Sequence, residues 1–211
     1  MRLIFFCLIV AAIAILAGVG AALAGDVDKG RDAAKACVSC HGADGISRFP
    51  DIPHLAGQNQ AYLVAAMSAF RRSGLGKNLP GGRTTRSDMV MKHQAAGLTD
   101  GDIENLASYF SSLACPMVGA ATSQNLPAVG QRCLSCHGQG GHGVTATVPR
   151  LAGQQQRYLE NQLKAFRDAR GAGSAGQRRM RIHLIMTRQA KPLTDDEIVE
   201  LAGYFADQPC K

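Results

Sequence analysis

Two short segments of this chain carry residue types that can capture a metal-bearing group. Cys37-Val38-Ser39-Cys40-His41 and Cys133-Leu134-Ser135-Cys136-His137 each place two thiols three residues apart, with a histidine directly after the second. Thiols one helical turn apart lie on one side of that turn, where they can add across the two vinyl groups of a porphyrin. The histidine that follows then reaches the iron from the proximal face. Both segments read as haem c attachment sites, with Cys37, Cys40, Cys133 and Cys136 as thioethers and His41 and His137 as axial ligands. A zinc site is the weaker reading. It needs two more Cys or His ligands per segment, and no other histidine recurs at an equivalent position. A thioredoxin-like disulfide site needs a strand–helix–strand context, which the sequence does not offer.

The two segments belong to a tandem repeat. At an offset of 96, Leu55-Ala56-Gly57-Gln58 matches Leu151-Ala152-Gly153-Gln154, Tyr62-Leu63 matches Tyr158-Leu159, and Ala69-Phe70-Arg71 matches Ala165-Phe166-Arg167. At an offset of 95, Leu98-Thr99-Asp100 matches Leu193-Thr194-Asp195, Tyr109-Phe110 matches Tyr204-Phe205, and Cys115 matches Cys210. One small domain is written twice.

Each iron needs a second axial ligand, and the candidates are Met89, Met91, Met180 and Met186, with His93 and His183 as rivals. Repeat symmetry selects Met91 and Met186, which match at the offset of 95 and each lie seven residues before the leucine that precedes the last helix. An axial histidine also needs an acceptor for its other ring nitrogen. The carbonyls of the equivalent Pro53 and Pro149 are candidates. Tyr62 and Tyr158 are read either as neighbours of the haem edge or propionates, or as ordinary core residues.

The elements that position these groups read as helices. Thr99 with Asp102, and Thr194 with Glu197, start the last helix of each half. Apolar residues then recur at helical spacing: Ile103, Leu106, Ala107 and Phe110, and Ile198, Leu201, Ala202 and Phe205. A middle helix is expected over 60–71 and 156–168, and a short one before each cysteine pair. No alternating strand pattern of useful length is present. Gly-rich stretches, 74–82 and 171–176, read as loops. The expected fold is all-α: two tandem copies of one small helical domain related by a pseudo-twofold, preceded by an N-terminal signal or anchor helix. The expected boundaries are 1–24 for that segment, 25–115 for domain 1, 116–127 for a linker and 128–211 for domain 2.

Arg2 followed by the apolar run 3–23 and Ala22-Leu23-Ala24 fits a cleaved export signal. The run is also close to the length of a membrane-spanning helix, so a retained anchor stays open. Either delivers the rest of the chain to the periplasmic side, free or tethered to the outer face of the inner membrane. The formal charge of +7 is spread along the chain, and Arg178-Arg179-Met180-Arg181 lacks interleaved aromatics, so no nucleic-acid partner is expected. Of the seven cysteines, Cys115 and Cys210 are left over from the haem motifs and the leader. A bridge between them requires that a pseudo-twofold bring equivalent residues to its axis. An intermolecular bridge and free thiols are the alternatives.

The chain resembles the cytochrome c4 family of diheme electron carriers over essentially all of its mature length. The resemblance rests on both Cys-x-x-Cys-His motifs and on Pro-x-Leu-Ala-Gly-Gln-x-x-x-Tyr-Leu in each half. It extends to the following Phe-Arg and to Met-x6-Leu-Thr-Asp, with Tyr-Phe closing each half. It implies two tandem all-α class I cytochrome c domains holding two covalent haem c groups with facing propionate edges, and places His41, Met91, His137 and Met186 on the axial positions. It further implies electron transfer to a terminal haem–copper oxidase, or between a quinol-oxidising complex and that oxidase, with no enzymatic turnover. Cys115 and Cys210 are not part of the family pattern. The other readings are the diheme subunit of a flavoprotein (sulfide) or other dehydrogenase, and a diheme peroxidase, which requires a displaceable axial ligand.

Overall fold

The computed structural model describes residues 25–74, 84–116, 125–168 and 179–210. The leader segment 1–24 and most of the expected linker, 117–124, lie outside the described residues, as does most of each Gly-rich stretch.

In the first half, helix α1 (Val27–Ala34) is capped by Asp26, whose side chain accepts the Asp28 and Lys29 N–H groups. A 3-10 turn (Lys35–Cys37) leads into α2 (Val38–His41). Then come α3 (Gln60–Gly74), strand β1 (Thr84–Asp88), α4 (Met91–Ala96) and α5 (Asp100–Ser112). The second half repeats this order with α6 (Leu134–His137), α7 (Gln156–Arg167), β2 (Arg179–His183), α8 (Leu184–Ala190) and α9 (Asp195–Ala206). Only a 3-10 turn, Ala128–Cys133, precedes its cysteine pair.

The last helices form as their caps and apolar spacing dictate. Both capping boxes are complete, Thr99 with Asp102 and Thr194 with Glu197. The side chains of Ile103, Leu106, Ala107 and Phe110, and of Ile198, Leu201, Ala202 and Phe205, are all buried. Each half has its own core, the first built with Leu63 and the second with Leu159 and Phe166 from the middle helix. Arg71 and Arg167 tie these middle helices to the last ones. Arg71 donates to the Leu98 carbonyl and pairs with Asp100, and Arg167 does the same with Leu193 and Asp195. Helix α1 crosses α5 so closely that a Cβ on Gly30 would lie 2.1 Å from the Asn105 carbonyl oxygen.

Two short strands, which no alternating pattern announces, join this helical frame. β1 and β2 pair antiparallel across the two halves, with Thr84 opposite His183 and Arg86 opposite Arg181. Among the described residues, neither strand has a partner within its own half. Their short, arginine-centred sequence lacks alternation because the pairing is made only when the repeats meet.

The two halves are further joined by reciprocal amide contacts. Gln58 Nε2 donates to the Arg150 carbonyl at 2.9 Å, while its Oε1 accepts the Arg150 N–H at 2.8 Å. Gln154 does the same to His54, at 3.0 and 2.8 Å. Asn59 and Gln155, the next residues, donate to the Val148 and Ser47 carbonyls of the opposite half. Cys115 and Cys210 form a disulfide with a Cα–Cα separation of 6.1 Å. Gly57, at φ +66, leaves room for it, since a Cβ there would lie 2.5 Å from the Cys115 Cβ.

A cross-link spanning 95 residues closes a long loop in the unfolded chain. Replacing both Cys115 and Cys210 by Ser is expected to lower stability by about 2–5 kcal/mol, read by denaturant unfolding of the holoprotein. Gln58→Ala leaves the two Arg150 main-chain groups it held without their partner and should cost about 1–3 kcal/mol in the same measurement.

Candidate haem sites

Each attachment motif is a four-residue helical turn that ends on its histidine. Gly42 and Gly138 follow at φ +82 and +76, a conformation that lets the chain leave the histidine sharply. The four motif thiols are not bonded to one another. Cys37, Cys40 and Cys133 are partly buried and Cys136 is exposed. Burial pushes the Cys37 and Cys133 thiols up, which keeps them protonated at neutral pH.

His41 and His137 are each 6% exposed. His41 Nδ1 lies 3.0 Å from the Pro53 carbonyl oxygen, and His137 Nδ1 lies 3.3 Å from that of Pro149. A carbonyl only accepts, so Nδ1 carries the proton and Nε2 keeps its lone pair. Burial lowers the pKa of both imidazoles and favours this neutral, ligating form. The proline carbonyl thus fixes the ring plane and the tautomer together.

Met91 is the first residue of α4 and Met186 the third of α8. Their backbones are held in equivalent ways. Asp88 accepts the Met91 N–H at 3.1 Å, and His183 Nδ1 accepts the Met186 N–H at 3.3 Å. Both methionine side chains are partly buried, and Met186 packs on the second core. Met89 and its counterpart Leu184 are 53% and 57% exposed, and His93 is exposed. The side chain of Met180 lies outside the described residues.

Tyr62 and Tyr158 converge on two arginines, the buried Arg86 and the partly buried Arg181, whose pairing the sequence reading did not bring out. Arg86 donates to the Tyr62 and Tyr158 hydroxyls at 3.2 and 2.6 Å. Arg181 donates to Tyr62 at 2.9 Å and to Gln162 at 2.5 Å. The two guanidinium groups also stack on equivalent rings, Arg86 on Phe70 and Arg181 on Phe166. Burial works against a Tyr62 phenolate, yet Arg181 and Arg86 outweigh it and draw the phenol down to about 8. Arg86 and Arg181 were recoverable from the sequence: they match at the offset of 95 and each stands five residues before its paired methionine.

These residues suit haem c. The Nε2 lone pair of His41 and of His137 is available to ligate, two cysteines precede each within four residues of the chain, and no ion pair among the described residues joins a carboxylate to Arg86 or Arg181. Two like charges opposite each other in register, one buried and one partly so, call for anions, and propionates have that charge.

A cytochrome c family model matches residues 27–114 and again 127–208. Cytochrome c4 of Azotobacter vinelandii is 32% identical over 199 residues, covering 86% of this chain and 89% of that protein. The chain belongs to the cytochrome c4 family. The structure of reduced cytochrome c4 from Pseudomonas stutzeri superposes with a TM-score of 0.69 at 29% identity, covering 88% of this chain and all of that one. A thiosulfate dehydrogenase electron acceptor of Stutzerimonas stutzeri is 32% identical over 190 residues, covering 83% of this chain and 80% of that protein. As a member of the cytochrome c4 family, this chain binds two haem c groups covalently, one per half, and carries electrons.

Removal of one attachment site should halve the haem. A Cys133→Ala, Cys136→Ala variant is expected to give one haem per chain by pyridine haemochrome assay against two in the parent, and retention of two would refute the second site.

Proposed function

We propose that this diheme protein is a carrier without turnover of its own, taking electrons from a quinol-oxidising complex and passing them to a terminal haem–copper oxidase. The observation that supports this is duplication: a histidine set against a proline carbonyl, and a methionine near a helix start, recur at equivalent places in both halves. His41 and Met91 are the axial pair of the first iron, and His137 and Met186 that of the second. Bound haem supplies an iron that changes by one electron. The chain's part is to keep both axial positions filled, exclude water and hold geometry constant, so that reorganisation is small. Filled axial positions also disfavour peroxide chemistry, which needs an open coordination site. The domains are assigned to 25–115 and 128–211, joined by 116–127, and residues 1–24 to export or anchoring. The site of action is then the periplasm. Among the described residues, no helix is long and apolar enough to cross a membrane.

A second reading, that the donor is a dehydrogenase, is favoured by the likeness to a thiosulfate dehydrogenase electron acceptor. Isolation in a stable complex with a dehydrogenase subunit would decide for it.

Optical potentiometry should resolve two one-electron waves, with the far-red Met–Fe(III) band present in the ferric protein. Met91→Ala and Met186→Ala are each expected to remove about half of that band, and Met89→Ala none of it. Equal loss in Met89→Ala would overturn the ligand assignment.

A further inference from the structure

The Cys115–Cys210 bridge joins the two halves, and a cation lies against it. Arg150 Nη1 is 3.4 Å from the Cys210 sulfur and 3.8 Å from that of Cys115, and it donates to the Cys210 carbonyl at 2.6 Å. The guanidinium is permanently charged. Its Nε is buried and has no hydrogen-bond partner among the described residues. No ion pair among the described residues compensates its charge. A disulfide gives such a charge little to pair with, whereas a thiolate is its counter-ion. The guanidinium therefore favours the reduced, ionised form of the cysteine pair over the bonded one. A disulfide whose reduced form is stabilised is the stronger oxidant and belongs with the labile bonds rather than the inert ones.

We propose that Cys115–Cys210 is an exchangeable bond, opened in the assembled protein by a dithiol reductant, and that Arg150 holds the thiolate this releases. The two sulfurs take different parts. Cys210 is the nearer to the guanidinium, which makes it the better leaving group. Cys115 is the more accessible, 8% exposed against 4%. A donor thiolate bonds to the Cys115 sulfur, the bond between the cysteines breaks, and Cys210 leaves as a thiolate facing Arg150. The donor's second thiolate then attacks its own mixed-disulfide sulfur and releases Cys115. Two electrons pass to the cysteine pair and the dithiol becomes a disulfide. Of the donor's two protons, one ends on Cys115 and one goes to water. Both cysteines lie in irregular backbone beyond α5 and α9, next to the exposed Ala114 and Pro209. Segments of that kind open locally at less cost than the cores. Reduction removes the covalent clamp and leaves the glutamine grips and the β1–β2 pairing, so the halves stay joined by non-covalent contacts alone. Thiol reductants then act on how firmly the halves are held. The proposal does not depend on which proteins give or take the electrons of the irons.

The test is equilibration of the full ferrous holoprotein with reduced and oxidised dithiothreitol in varied ratio, without denaturant and without oxygen. The thiols are trapped by alkylation and counted by mass, for the parent, Arg150→Met and Arg150→Lys. Starting from ferrous protein keeps the irons out of the electron count. The parent is expected to gain two alkyl groups, on Cys115 and Cys210, while keeping both haems and its helical signal. Arg150→Met is expected to lower the equilibrium constant for reduction by on the order of tenfold, ~30 mV for a two-electron couple. Arg150→Lys keeps the charge and is expected to stay within about threefold of the parent. A parent bond that dithiothreitol opens only in denaturant is an inert staple, and overturns the proposal without need of a variant. An unchanged constant in Arg150→Met overturns it as well. So does an equal fall in the Met and Lys variants, since lost packing alone would produce that.

Discussion

Gln58 and Gln154 each read the main chain of the opposite half with both ends of one carboxamide, accepting an N–H and donating to a C=O of the same residue. The residues they grip, Arg150 and His54, stand directly after the two prolines that hold the axial histidines. One pair of side chains therefore joins the halves and steadies both proximal loops. The glutamine contacts themselves are polar, while Leu55 and Leu151, the residues directly after those gripped, pack on the core of their own half. Such a seam depends on directional bonds being satisfied on both sides, which is what reciprocity supplies.

The arginine pair imposes a complementary constraint. Two guanidinium groups face each other across β1 and β2, held by phenols, an amide and aromatic rings. Neutral acceptors satisfy their hydrogen bonds but leave their charge. Haem propionates are carboxylates, and held by these arginines they would couple cofactor capture to the docking of the halves. Tyr62 touches both arginines and belongs to the first half, which makes the cluster shared property of the two repeats.

Much of this was legible in the sequence because it is local. Attachment motifs, capping boxes and apolar spacing are set by residues within a turn or two of each other, and repeat symmetry ranks Met91 and Met186 above their neighbours. What was not legible is what forms only between the repeats. β1 and β2 are short and lack alternation, and each finds its partner 95 residues away. Leu-Ala-Gly-Gln was recognisable as a motif, but the work of its glutamine is invisible until the other half is present. Arg86 was hidden because a lone arginine reads as a solvated side chain, whereas it is only 9% exposed, and Arg181 was read together with Arg178 and Arg179 as one basic stretch.

The ribbon of β1 and β2 pairs each residue with the counterpart of its mirror position about Arg86 and Arg181. That is the geometry of an isologous homodimer interface, here enclosed in a single polypeptide. Covalent linkage frees the assembly from mass action, so its two centres stay together at any dilution. It also frees the copies from having to be identical. In a true homodimer every substitution is made twice, and the two centres must remain equal. In this chain one copy can change while the other does not, and a symmetric scaffold can acquire a direction.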